Sequence, residues 1–176
     1  ITTDETGVAK LTDLPLGKYY VKEKETANGY VLDGTAREID LTYRDQDTAE
    51  VTYSSDWQNN RQKAEVKVLK KEKDSDRVLE GAVFALCNKE DIVNANGDVI
   101  LKADTVIEEQ ATDKEGKLTF TADLPIGYNY YVKETSPAPG FATTDQVQEF
   151  TFEYEGADKE TLSYEFTFED EPTVVE

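Results

Sequence analysis

The sequence predicts an all-β protein built from sandwiches in tandem. Three observations carry this. Apolar residues recur at every second position, turn signals divide those stretches, and one block of sequence occurs twice. A two-residue period marks strands with one face in a core and the other in water. Short strands separated by regular turns lead to a sandwich.

Taken in order, the first clear block is TDLPLGKYYVKE at 12 to 23, a turn running into a strand. Val51, Tyr53, Ser55, Trp57 and Asn59 form a second, less apolar stripe. Val66 and Val68 alternate with Lys67, and their face ends in Lys70. Residues 87 to 94 allow at most a short helical turn. Turns are expected at Asn96-Gly97, Glu115-Gly116, Leu124 to Gly127 and Pro137 to Gly140. Tyr130 and Val132 alternate with Tyr131 and Lys133 on a face that ends in Glu134. Tyr164, Phe166 and Phe168 alternate with Glu165, Thr167 and Glu169 on a face that ends in Asp170.

The block at 12 to 23 returns as ADLPIGYNYYVKE at 122 to 134. From Glu23 to Glu134 the spacing is 134 − 23 = 111, and Asn59 lies the same distance before Asp170. The repeat is therefore about one small domain long. Only some 62 residues precede the second unit, which begins near Lys63. Residues 1–62 are expected to be the later half of a domain without its earlier strands. Residues 63–172 are expected to be a complete domain, and 173–176 a linker towards a further repeat. Half a sandwich leaves an apolar face and unpaired edges, so the missing strands are expected upstream or from a partner segment.

Composition excludes several functions. The chain has 38 acidic and 19 basic residues in 176, a net charge of −19. Phosphate backbones and anionic membrane surfaces would be repelled. There is no histidine, which removes Ser-His-Asp and Cys-His catalysis and histidine-based metal sites. Cys87 is the only cysteine, so no intrachain disulfide can form. No stretch approaches the ~20 apolar residues needed to cross a bilayer. No signal peptide opens the chain, and any export signal is expected outside it.

Lys70, Glu134 and Asp170 each stand where the alternation directs a side chain inward. Burying a cation with two carboxylates costs several kcal/mol per ion unless they satisfy one another. One outcome is a buried salt-bridged triad. The other is reaction. A dry interior favours neutral amine and neutral acids, and a neutral amine is a nucleophile. Glu134 would polarise the Asp170 carbonyl and move protons. Contact supplies a large effective molarity, and the product is an amide with loss of water.

The second unit resembles a CnaB-type, or prealbumin-like, domain of Gram-positive pilins and surface adhesins. The resemblance is carried by VKVLKKEKDSDRVLEGAVFAL at 66 to 86, the DLPIG turn, YYVKETSPAPGF at 130 to 141 and FTFEDEP at 166 to 172. It implies a Greek-key, inverse immunoglobulin-like sandwich with a self-formed isopeptide bond. Its reactive lysine falls on Lys70, its assisting acid on Glu134 and its acceptor on Asp170. In the first unit the acid falls on Glu23 and the acceptor on Asn59, with the lysine before Ile1. Such a bond would close a loop of about 100 residues, worth ~4–5 kcal/mol in the chain-entropy account. It implies a cell-surface, wall-anchored stalk or spacer, with its neighbouring repeats as partners. The chemistry occurs once per molecule and is maturation, not enzyme turnover.

The competing reading is a ligand-binding adhesin module that recognises a host matrix protein or a glycan. Neither reading calls for a cofactor or a metal. DIVNANGD at 91 to 98 suggests a calcium loop, but aligning Asn94, Asn96 and Gly97 puts Ile92 and Ala103 at the first and last ligand positions. Neither side chain offers oxygen, so the EF-hand motif fails and a hairpin turn is expected, with a looser calcium-binding loop as the alternative. Cys87 is expected to be an inert, half-exposed thiol. Trp57 is expected to pack in a core rather than to hold a ligand.

Overall fold

The computed structural model describes residues 1–174, and eleven strands account for all its regular secondary structure. The last two residues of the expected linker lie outside the described residues. The chain divides into two compact units, Ile1–Thr26 with Leu32–Asn59, and Ala27–Val31 with the chain from Asn60 onward.

The second unit is a two-layer sandwich. One sheet has three strands, β11 (Thr161–Asp170), β3 (Lys63–Glu72) and β8 (Lys117–Phe120), in that order. The other has four, β10 (Val147–Phe152), β9 (Tyr128–Ser136), β4 (Val83–Asn88) and β7 (Val106–Ala111). β5 (Ile92–Val93) and β6 (Val99–Leu101) form a hairpin between β4 and β7. No helical turn forms at 87 to 94, because Cys87 and Asn88 complete β4 and Ile92 and Val93 form β5.

Val66, Val68, Tyr130, Val132 and Phe168 point inward as the alternation predicts, whereas Tyr164 and Phe166 are only half-buried. Val66, Val68, Leu118, Phe120, Leu162 and Phe168 from one sheet meet Phe84, Leu86, Tyr130, Val132, Phe150 and Phe152 from the other. Aromatic pairs span the layers, with ring centroids 4.8 Å apart for Phe84 and Phe168 and 4.5 Å for Phe150 and Tyr164. Burying each such ring stabilises the fold by roughly 1.5–3 kcal/mol. β4 is buried on both faces, since Ala85 and Cys87 are as covered as Phe84 and Leu86. Cys87 is therefore fully buried rather than half-exposed. It lies in the centre of its sheet beside Tyr131, and burial pushes its thiol pKa up.

β3 and β11 run parallel over ten residue pairs, from Thr161 beside Lys63 to Asp170 beside Glu72. Gly116, in the turn between β7 and β8, fixes one end of β3. Its carbonyl accepts the Lys70 N–H at 2.7 Å. Its φ is +70°, and a Cβ there would stand 2.7 Å from the Lys70 carbonyl oxygen and 2.8 Å from Val78 Cβ. Only glycine fits that approach.

The first unit contains one hairpin, β1 (Gly17–Val21) with β2 (Arg37–Leu41). Its register repeats that of β9 and β10. Val21 lies opposite Arg37 just as Val132 lies opposite Gln148, each residue 111 positions on. Tyr19 Oη donates to the Pro15 carbonyl at 2.6 Å, and Tyr130 Oη to that of Pro125 at 2.7 Å. An earlier turn also recurs: Asp4 Oδ1 accepts the N–H groups of Thr6 and Val8 as Asp113 Oδ1 accepts those of Glu115 and Lys117.

The expected strand through Val51, Tyr53, Ser55, Trp57 and Asn59 does not form. Its counterpart in the second unit is β11, which pairs with β3. Residues 8–11, the counterpart of β8, are also without strand pairing. Both flank the place that β3 occupies in the second unit, and no strand fills it among the described residues of the first. Trp57 consequently is only half-buried, and its ring lies under the Arg37 guanidinium at 4.0 Å instead of in a core.

Candidate functional site

Three strands bring Lys70, Glu134 and Asp170 together at one end of the sandwich. β3 and β9 deliver Lys70 and Glu134 from opposite sheets, each two residues beyond a buried valine. β11 delivers Asp170, two residues beyond Phe168. All three side chains are 0% exposed. Lys70 Nζ is hydrogen-bonded to Asp170 Oδ1. Glu134 Oε1 lies 3.1 Å from Nζ as an ion pair, and it and Asp170 Oδ2 are buried without hydrogen-bond partners. Neighbouring Lys71 points outward and pairs with Asp76 at 3.5 Å, so the alternation distinguishes the two lysines correctly.

The surroundings are apolar. The Phe84 ring centroid lies 5.6 Å from Nζ, and Phe84 and Phe168 are both fully buried. Burial raises the Glu134 pKa, and the Asp170 charge adds to the rise. A hydrogen bond from the Thr144 backbone N–H to Oε2, at 3.2 Å, and the Lys70 ammonium oppose it. Burial dominates, so the acid form of Glu134 persists above the ordinary carboxyl range. An amine donor, an acyl acceptor and a proton-holding acid thus meet in a site without water access. Such a set can lose water to form an amide, or persist as an ion triad.

Glu23 and Asn59 meet in the first unit. Asn59 Nδ2 donates to Glu23 Oε1 and to Thr26 Oγ1, both at 2.6 Å. Asp33 N–H donates to Glu23 Oε2 at 3.0 Å. Asn59 Oδ1 is buried without a partner. Both residues are half-buried, and no lysine among the described residues occupies the position that Lys70 takes beside Asp170.

Elsewhere, Asn94 Oδ1 accepts the N–H groups of Asn96 and Asp98, which is a turn held by its own side chain. Among the described residues no group of three or more His, Cys, Asp or Glu is placed to hold a metal ion. No described helix is long and apolar enough to cross a membrane. Two contributors to the site carry no signal in the sequence. The Thr144 contact is made by a backbone amide, which any residue except proline supplies. Thr112, buried, accepts the Ala82 N–H and donates to the Leu79 carbonyl, holding the approach to β4.

The SpaA family of prealbumin-like fold domains matches the chain over residues 1–57 and 64–168. Among solved structures the chain is similar to the Bacillus anthracis TIE protein, at 26% identity and a TM-score of 0.64. The alignment covers 97% of this chain and 28% of that one. It is also similar to two domains of the major pilin SpaD from Corynebacterium diphtheriae, at 25% identity, with 61% of this chain and 46% of that one covered and a TM-score of 0.40. A minor pilin of Streptococcus agalactiae is 22% identical over 99% of this chain and 68% of its own, with a TM-score of 0.43. The chain thus spans less than a third of the TIE protein and less than half of the SpaD fragment. No curated protein sequence matches it.

Proposed function

The chain belongs to the SpaA family of prealbumin-like fold domains, and from that premise we propose that it is a stalk module of a bacterial cell-surface pilus or adhesin, clamped by an amide between Lys70 and Asp170. One observation carries the clamp. An ammonium and two carboxyl groups, all unexposed, lie in contact at a dry end of the sandwich. In the reaction Lys70 Nζ bonds to Asp170 Cγ and one Asp170 oxygen leaves as water. Glu134 relays the protons and ends neutral. The product removes two charges from the interior, which relieves the cost of their burial.

Residues 1–62 are then the later half of a second such domain, with 63–172 complete and 173–176 a linker. The matching hairpin register and the paired Glu23 and Asn59 support this reading. In that half, Asn59 as acceptor would release ammonia rather than water when a lysine from outside residues 1–176 completes the site. The module is extracellular and its partners are neighbouring repeats of its own polypeptide.

Intact mass after full denaturation tests the clamp. The expected value is one water below that calculated from the sequence, and Lys70→Ala or Glu134→Ala restores the calculated mass. An unreduced wild-type mass leaves only the ion triad. A screen against matrix proteins and glycans tests the alternative adhesive role.

A further inference from the structure

The two acids that lie 111 residues apart share a contact that their neighbours' side chains do not dictate. Glu134 Oε2 accepts the N–H of Thr144, and Glu23 Oε2 accepts that of Asp33. The donors differ in side chain but stand ten residues after the acid in both cases. In both cases the other oxygen, Oε1, is the one turned to the reacting groups. In the first unit it meets Asn59 Nδ2 at 2.6 Å, and in the second it lies 3.1 Å from Lys70 Nζ. Glu134 Oε1 otherwise has no hydrogen-bond partner.

A carboxylic acid has one carbonyl oxygen and one hydroxyl oxygen, and the carbonyl oxygen is the better acceptor. An N–H aimed at Oε2 therefore favours the tautomer with its carbonyl at Oε2 and its proton on Oε1. We propose that the Thr144 backbone N–H is a positioning group that confines the Glu134 proton to Oε1, so that a single oxygen serves both proton transfers of amide formation. This role rests on the reading of Lys70 and Asp170 as a bond-forming pair.

The balance is complete within the triad. Lys70 Nζ passes a proton to Asp170 Oδ1, to which it is hydrogen-bonded, and the free amine attacks Cγ. The Oε1 proton passes to the departing hydroxyl, which leaves as water. The second amine proton returns to Oε1, leaving an amide and a neutral Glu134. Were the proton on Oε2, it would be directed towards the loop at Thr144, away from the leaving oxygen. The charged groups that face Glu134 are Lys70 from β3 and Asp170 from β11.

The test follows water loss in the whole 176-residue chain after a cell-free synthesis pulse, by intact mass over time and across pH. Thr144→Ala keeps the N–H and is expected to match wild type. Thr144→Pro removes it and is expected to slow the reaction about tenfold. The alkaline limb of its pH profile should move upward, since a contact that lowers the Glu134 pKa is gone. Water loss in wild type with an identical rate and profile in Thr144→Pro overturns the positioning role alone. A wild type that never loses water overturns the clamp and this role with it. Should Thr144→Pro fail to fold, amide exchange in wild type decides. Slow exchange at Thr144 that quickens in Glu134→Gln supports the contact, and exchange at the rate of a free loop overturns it.

Discussion

Residues 1–59 and 110–170 carry the same turn, the same hairpin register and the same contact on a glutamate, yet their surroundings differ at one place. In the second copy β3 lies between β8 and β11 and pairs with both. In the first copy the stretches equivalent to β8 and β11 have no strand between them and form no ladder. Gly116 is pressed against the Lys70 carbonyl, whereas a Cβ on its counterpart Gly7 would meet nothing within 4 Å. Phe168 is sealed in the core, whereas its counterpart Trp57 is half-buried. The comparison separates two kinds of information. Local turns and hairpins form from their own sequence, but strands at a sheet's margin need the neighbour that satisfies their backbone groups.

Substitutions at paired positions break or sharpen this contrast. Lys70→Ala should have the largest effect. It would remove the proposed tether, worth about 4–5 kcal/mol, and it leaves two buried acids without their cation, at about 3–5 kcal/mol more where they remain ionised. Calorimetry should show a large fall in the unfolding temperature of the second unit, and a small change would contradict both the tether and the triad. Phe168→Ala should cost about 3–5 kcal/mol, and Trp57→Ala about 1 kcal/mol, read by urea denaturation. Equal costs would mean that the first copy has a core after all. Gly116→Ala should cost about 3 kcal/mol through overlap with the Lys70 backbone and should slow amide formation. Gly7→Ala meets only the positive φ, at roughly 1–2 kcal/mol. Asn59→Ala should be the mildest, at under about 1 kcal/mol with no effect on the mass deficit of the chain. A change in mass deficit would place a cross-link in the first copy.

Acidity sharpens the contrast further. Glu134 is raised by burial, so its proton is held above the ordinary carboxyl range and is lost as pH rises through the raised value. Amide formation in newly made chains should therefore be slower above that value than below it. Before the bond forms, the raised acid also favours folding at low pH, and that contribution fades over the same interval. Formation that speeds up with pH across this interval would assign the proton-holding role elsewhere.

Much of the second copy was legible because a two-residue period states which face a side chain takes. Lys70, Glu134 and Asp170 were readable as the inward ends of apolar stripes, and Lys70 was separable from Lys71 on that ground alone. The stripe from Val51 to Asn59 has the same period, yet periodicity names a face and not a pairing partner. Cys87 misled for a related reason. Its outward face was assumed wet, but β4 is central in its sheet and Tyr131 stands beside the thiol. β7 was not anticipated, since VIEEQA offers little alternation and its place at a sheet edge demands little. The Thr144 amide could not be read at all, because a main-chain donor has no residue type.

The parallel course of β3 and β11 sets a length. The chain enters the second unit's three-stranded sheet at Lys63 and leaves it at Asp170, at opposite ends of two aligned strands. With Lys70 joined to Asp170, traction would run along the first eight residues of β3, cross one covalent link and depart. The stretch between them, 100 positions from Lys70 to Asp170, would pay out roughly 330 Å of slack if drawn straight and would never be recruited. A fibre of such modules would keep its span under strain like the links of a chain, and only the number of links would set how far it reaches.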